Sequence, residues 1–339
     1  MTITNTSRVD FHHHLFPTVG RAGALLESMM ARSAWPAKGP SPFTAWTPQA
    51  SLDFMDGLDV ATAVLSLPND LEFDLPAADR RSFARDVNEL ARGIVDAHPS
   101  RFGFFAHLPT RLDVDSAMEE VRYACDELGA DGVILASVYG RGESAHSLGD
   151  PLFEPLWAEL DRRKALVFVH GEQTPGSNRV PNSFLPIPVS EVPNETYKAA
   201  ADLVTSGRKR QFANVRIILS HSGGSTPVLA ARVAGLAPYA GCEMTAQEII
   251  DDFRTFYYET ALSGFEANLA GLERFVPTTQ ILFGTDFPAV TPDIAGWYAG
   301  NVDSYFAERP DDLGRVMYDN AAALLPRLGD PTPSSPRLG

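Results

Sequence analysis

Little in this chain points to disulfides, membranes or nucleic acid. Two of its 339 residues are cysteines, Cys125 in a helical pattern and Cys242 in a loop, and they lack the spacing of a disulfide framework or a zinc ribbon. No apolar run approaches the ~20 residues that span a bilayer. The first seven residues hold no apolar core of a secretory signal, so a soluble, cytoplasmic protein is expected. Positive charge is scarce as well: 28 Lys and Arg against 43 Asp and Glu give a formal net charge of −15. Phosphate backbones and anionic lipid surfaces are bound by clustered Lys and Arg, which argues against nucleic-acid and membrane partners. An anionic small substrate would need local positive charge to draw it in. A metal ion could supply it.

What the chain does hold is a globular share of apolar residues, 44%, arranged in short runs rich in β-branched and aromatic side chains. These runs predict strands at residues 8–12, 60–66, 102–107, 132–137, 166–170, 216–221, 256–260 and 280–284. Amphipathic stretches between them, such as 82–97, 115–128, 151–163 and 195–211, predict helices. Near-continuous apolar strands joined by helical crossovers make a parallel sheet covered on its outer face, and eight such units close a (β/α)8 barrel. The expected fold is therefore α/β, a single TIM barrel over residues 1–328. An open doubly wound sheet competes, but no Gly-x-Gly-x-x-Gly follows the first strand. The proline- and serine-rich end, 329–339, reads as a disordered tail.

Two connections are too long to be simple links. Residues 15–46 include the run Trp35-Pro36-Ala37-Lys38-Gly39-Pro40-Ser41-Pro42, and residues 171–193 hold Pro175, Pro181, Pro186, Pro188 and Pro193. Structureless segments longer than ~12–15 residues inside compact domains are usually functional or disordered. Both follow strands ending in histidine, so they are expected to be long active-site loops after strands 1 and 5.

The first strand carries Arg8-Val9-Asp10-Phe11-His12-His13-His14. Strict alternation puts Asp10, His12 and His14 on one face and Val9, Phe11 and His13 on the other. Two imidazoles pointing together from positions two apart are half of a metal site, while His13 is left for packing or outer-layer hydrogen bonding. A purification tag would be a longer run and would not continue as Leu15-Phe16-Pro17. In a barrel the chemistry gathers at the carboxyl ends of the strands. Strand 5 ends in His170, strand 6 in His221 and strand 8 in Asp286. Any one of these alone would be read as a satisfied polar residue, but four at one topological level make a site. His98, His107 and His146 are read as structural, with His107 at the end of strand 3.

These residues resemble the amidohydrolase superfamily: His12-x-His14, His170, His221 within His-Ser-Gly-Gly-Ser-Thr-Pro, and Asp286 within Phe-Gly-Thr-Asp-Phe-Pro. Within it they are similar to the branch holding aminocarboxymuconate semialdehyde, γ-resorcylate and 6-methylsalicylate decarboxylases, from Val9 to about Leu325. The resemblance implies one divalent ion, Zn2+ or else Mn2+, held by His12, His14, His170 and Asp286. Binuclear relatives bridge two ions with a carboxylated lysine at the end of strand 4, and residues 131–137 here contain no Lys, Cys or Glu. His221, with an ordinary imidazole pKa of ~6.5, is the expected base. The implied activity is a metal-dependent non-oxidative decarboxylase, a carboxy-lyase, acting on a small hydroxylated or aminated aromatic carboxylate, with Asp286 delivering a proton to the ring. A homodimer is implied too. The alternative on the same fold is hydrolysis of a C–C bond or a lactone by a metal-activated water. A metal-binding protein without catalysis would show a lost ligand or acid, and neither is seen.

The chain departs from the pattern after strand 5. Many relatives continue with proline, whereas here the run is His170-Gly171-Glu172-Gln173. Glu172 is thus a candidate to hydrogen-bond an extra hydroxyl or amino group, or else a loop charge. Arg179, Arg21, Arg32 and Lys38 are candidates to hold a substrate carboxylate. Trp46, Phe184 and Phe287 are candidate apolar walls.

Overall fold

All eight predicted strands form, with ends shifted by a few residues: β1 Arg8–His14, β2 Val60–Ser66, β3 Phe102–Ala106, β4 Gly132–Ala136, β5 Leu166–His170, β6 Arg216–Leu219, β7 Tyr257–Glu259 and β8 Ile281–Leu282. The computed structural model describes residues 7–18, 23–24, 46–67, 75–109, 112–140, 142–172, 182 and 184–328. The strands lie in chain order in one sheet, each parallel to the next. Phe11 N–H donates to the Phe283 carbonyl (3.1 Å) and Asp286 N–H to the His12 carbonyl (2.8 Å), joining the last strand to the first. The result is a TIM barrel.

Helices cross over on the outside: α1 Pro48–Gly57, α2 Ala77–Ala97, α3 Val114–Arg122, α4 Glu154–Arg162, α5 Ile187–Thr205, α6 Thr226–Leu236, α7 Glu266–Phe275 and α8 Pro292–Phe306. Among the described residues, no helix is long and apolar enough to cross a membrane. Most of both readings of the long loops, and the tail 329–339, lie outside the described residues, as do Arg21, Arg32, Lys38 and Arg179. One part of the second loop is described and is not a loop. Helix α5 begins at Ile187, eight residues before the predicted start, and contains two of the prolines that argued for irregular chain. Pro188 sits in its first turn, where a missing N–H costs nothing. Pro193 forgoes one rung of the ladder further in.

Alternation along the strands sorts the core into two layers. Inside the barrel Phe11, Phe105 and Phe168 stack, with ring centroids 6.2 and 5.7 Å apart, and Leu324 and Leu325 of the C-terminal region join the same cluster. Outside, Leu65, Phe104, Leu135 and Val169 pack under the helices. The first strand breaks strict alternation. Asp10 pairs with Ala63 and His13 with Leu65, so three steps on β1 oppose two on β2. This is a β-bulge, in which one extra residue shifts the side-chain phase. Phe11 and His12 consequently both face inward, the His12 ring lying 5.0 Å from that of Phe168. Asp10 faces outward with His13 and bonds to it. The expectation that Asp10 shares the face of His12 and His14 is corrected accordingly, while the two histidines do point together.

Helix α5 is seated over the barrel mouth by two glycines. A Cβ on Gly171 would lie 1.9 Å from the Val192 carbonyl oxygen, and one on Gly224 1.9 Å from that of Pro193. Gly224 also has φ +58° and ψ −121°, a conformation closed to residues with a Cβ. We expect Gly224→Ala to lower the unfolding free energy by ~2 kcal/mol or more, read from urea denaturation.

Candidate metal centre

Four imidazoles and one carboxylate meet at the carboxyl-terminal rim of the barrel. His12 and His14 come from β1, His170 ends β5, His221 stands two residues beyond β6, and Asp286 lies in the turn after β8. All five are buried. Their ligand atoms form two overlapping triads, His12–His14–His170 and His12–His221–Asp286, each within 4.8 Å.

Each imidazole is oriented through Nδ1. That of His12 meets Glu259 Oε1 at 2.8 Å, that of His14 the Ser66 carbonyl at 3.2 Å, that of His170 the Gly171 carbonyl at 3.0 Å and that of His221 the Ala261 carbonyl at 3.1 Å. Carbonyls and carboxylates only accept, so each Nδ1 carries a proton, and Nε2 is the atom each ring turns to the cluster. Nε2 of His12 stands 3.0 Å from Nε2 of His14, and Asp286 Oδ1 lies 3.2 and 3.0 Å from the two. Among the described residues that carboxylate oxygen is buried without a hydrogen-bond partner. Three acceptor atoms so close repel one another unless a cation or a proton lies among them. The donor set, imidazole and carboxylate around one point, is that of a divalent metal site.

The charge states suit the same role. Burial, and then the neighbouring imidazoles, hold His170 well below the usual histidine range. Burial also lowers His14 and His221, so these three are neutral, the form that binds metal. Burial alone would raise the Asp286 carboxyl, but His12 and His14 hold it well down. His12 is the exception. Burial pulls it down, yet Glu259 and Asp286 outweigh that and push it up to about 10.

Glu259 escaped the sequence reading. It ends β7 fully buried, its Oε1 accepting from the His221 main-chain N–H at 2.6 Å as well as facing His12, and its Oε2 accepting from Ala261 N–H at 2.6 Å. The signal that could have found it is a carboxylate at an inward position of a strand that is otherwise aromatic. Gly284 is tied to it, because a Cβ there would stand 2.1 Å from Glu259 Oε2. Glu259 also steadies the strained backbone of His221, whose φ of +53° is a left-handed value that non-glycine residues adopt mainly where surrounding structure enforces it.

The remaining sequence candidates are placed as follows. Glu172 is half-buried directly after Gly171, its N–H donating to Ser137 Oγ at the end of β4 (2.8 Å). Phe184 is 84% exposed. The structure does not bring Phe287 to the cluster: its ring stacks on Phe54 of α1, with centroids 4.0 Å apart. Trp46 packs beside α1, its indole N–H donating to Ser51. The aromatic ring that does approach the cluster from the described loop is Phe16, buried with its centroid 6.1 Å from that of His14. His13 lies in the outer layer, as expected.

Two outcomes follow. Glu259→Gln should weaken metal affinity by ~10- to 100-fold, measured by competition with a chromophoric chelator. An ion on His12 Nε2 must displace the proton held there up to about 10. Uptake near pH 8 should therefore release about one proton per ion, and affinity should rise about tenfold per pH unit below that value. Calorimetry in buffers of different ionisation enthalpy measures this.

Comparison with known proteins agrees with this geometry. Residues 9–327 match the family described as Amidohydrolase. The chain is 39% identical over 329 residues to the 6-methylsalicylic acid decarboxylase acuB of Aspergillus aculeatus, covering 95% of this chain and 96% of that one. It is 35% identical to the 6-methylsalicylic acid decarboxylase of Penicillium expansum, over 95% of this chain and 97% of that one. Its fold matches that of a dihydroxybenzoic acid decarboxylase from Polaromonas sp. JS666, solved with manganese and the inhibitor 2-nitroresorcinol bound, with TM-score 0.82, 22% identity and coverage of 96% and 98%. With its barrel, its buried His/Asp metal site and near full-length similarity, this chain belongs to the amidohydrolase family and, within it, to the branch of aminocarboxymuconate semialdehyde decarboxylase-like carboxy-lyases.

Proposed function

We propose that the chain removes CO2, without oxidation, from a small aromatic acid bearing a hydroxyl ortho to its carboxylate, 6-methylsalicylate being the first candidate. The observation that carries this reading is 39% identity across 95% of the chain to an enzyme of that name; the family match over residues 9–327 includes all five clustered residues. His12, His14, His170 and Asp286 would hold one divalent ion, Zn2+ by its preference for imidazole, with Mn2+ also compatible with the set. When bound, the ion supplies local positive charge, which an aromatic carboxylate and phenolate need.

The chain's own residues do the rest. Phe16 and Phe168 bound the cluster with apolar rings, a setting suited to a planar substrate and poor in water. His221, neutral and fixed through Nδ1 on the Ala261 carbonyl, turns Nε2 to the site and accepts the proton of the substrate hydroxyl. Asp286, ionised at rest, takes over that proton from His221, its neighbour in the same cluster, and passes it to the ring carbon that bears the carboxylate. The bond from that carbon to the carboxylate breaks, its electrons restore the aromatic ring, and CO2 leaves with the ring carrying a new C–H bond. Assembly as a homodimer belongs to the same reading and is supported by exposed Val228 on α6 and by Trp297 on α8, which stacks on exposed Phe265.

The test is to screen purified, metal-quantified protein against ortho-hydroxy and ortho-amino benzoates, following CO2 and ultraviolet absorbance with and without a chelator. Chelator-sensitive CO2 release at one ion per chain is expected. His14→Ala should lose activity with its metal, and Asp286→Asn should lower turnover by at least ~100-fold even when reloaded. Activity retained by metal-free Asp286→Asn protein would sink the mechanism.

A further inference from the structure

Asp10 and His13 are fully buried polar residues that the proposed chemistry leaves unused. Asp10 Oδ1 accepts from the main-chain N–H of His12 and from that of Thr285, each at 3.0 Å. Its Oδ2 accepts from the Thr285 hydroxyl at 2.5 Å and from His13 Nδ1 at 3.0 Å. One carboxylate therefore spans the seam between β1 and the turn after β8, gripping the backbone of one metal-site residue and that of the neighbour of another. The bulge in β1 explains the need. An extra residue takes the His12 N–H out of the regular ladder, and a buried N–H without a partner is costly. Asp10 receives it and binds the opposite chain with the same oxygen.

The bonds continue away from the site in one direction. On the far side of His13, Nε2 and the Ser51 hydroxyl share a hydrogen bond at 2.8 Å, and Ser51 Oγ takes the Trp46 indole N–H at 2.9 Å. Trp46 is the first described residue after segment 25–45. We propose that Asp10 is a positioning residue that sets the spacing of His12 and Asp286, and that Ser51, through His13, couples the seating of Trp46 to the affinity of the metal site. The proposal rests on His12 and Asp286 being metal ligands.

Full-length Asp10→Asn and Ser51→Ala proteins test it, with Co2+ as the probe, its visible spectrum and dissociation constant as readouts, and the Tm of metal-stripped protein as control. Asp10→Asn replaces one acceptor oxygen by a donor facing Thr285 and His13, and should weaken Co2+ binding by ~10- to 100-fold with an altered spectrum. Ser51→Ala touches no ligand, yet should weaken it by ~3- to 10-fold while the metal-stripped Tm stays near wild type. A merely structural network would lower that Tm and leave affinity and spectrum unchanged, which overturns the proposal. Should Asp10→Asn fail to fold, Ser51→Ala decides alone. A wild-type chain that takes up no Co2+ would overturn both this proposal and the metal-site reading beneath it.

Discussion

Two imidazole nitrogens and a carboxylate oxygen held 3.0 to 3.2 Å apart cannot rest there without positive charge between them. Much of what surrounds the barrel mouth can be understood as the means of holding that repulsive arrangement. The barrel supplies stiff strands whose ends converge. Backbone carbonyls fix the rings of His14, His170 and His221, and Glu259 fixes His12 and the left-handed turn at His221. Glycines at 171, 224 and 284 make room for the groups that close over or under the cluster. Holding lone pairs together in the folded chain is unfavourable by itself, and the ion repays it by binding tightly to a site that needs no rearrangement.

Most of this frame was legible in the sequence because it rests on local patterns. Apolar runs ending in His170, His221 and Asp286 announce both the strands and the level at which their ends meet. What could not be read depends on pairing between distant segments. The bulge at Phe11 and His12 exists only as a mismatch of register against β2, so the sequence of β1 alone suggests regular alternation. Glu259 looks like any carboxylate near a strand end until His12 and the His221 backbone are brought beside it. Pro188 and Pro193 argued for loop, but the first tolerates a helix start and the second is carried by a helix long enough to lose a rung.

Aromatic residues were the poorest guide. Phe287 flanks Asp286 in sequence, yet it and Trp46 both serve the layer between barrel and helices, where Phe287 stacks on Phe54. Phe16, which does approach His14, had no periodic or motif signal to separate it from ordinary core. Large rings are useful wherever two layers meet, and sequence does not say which layer. Histidines are less ambiguous, because a buried imidazole needs partners on both nitrogens and few environments provide them.

The extra residue in β1 has a wider meaning for how such a site can exist at all. Below it the strand feeds the barrel interior with Val9 and Phe11, and above it with His12 and His14, so the lumen passes from grease to electrolyte within one peptide unit. A perfectly regular strand could not present Phe11 and His12 to the same side. The offset also sends Asp10 and His13 outward together, giving the wall a polar backing where its neighbours have only hydrocarbon. Stability below and reactivity above are thus separated by a dislocation, much as a stacking fault in a crystal lets two different orders share one lattice.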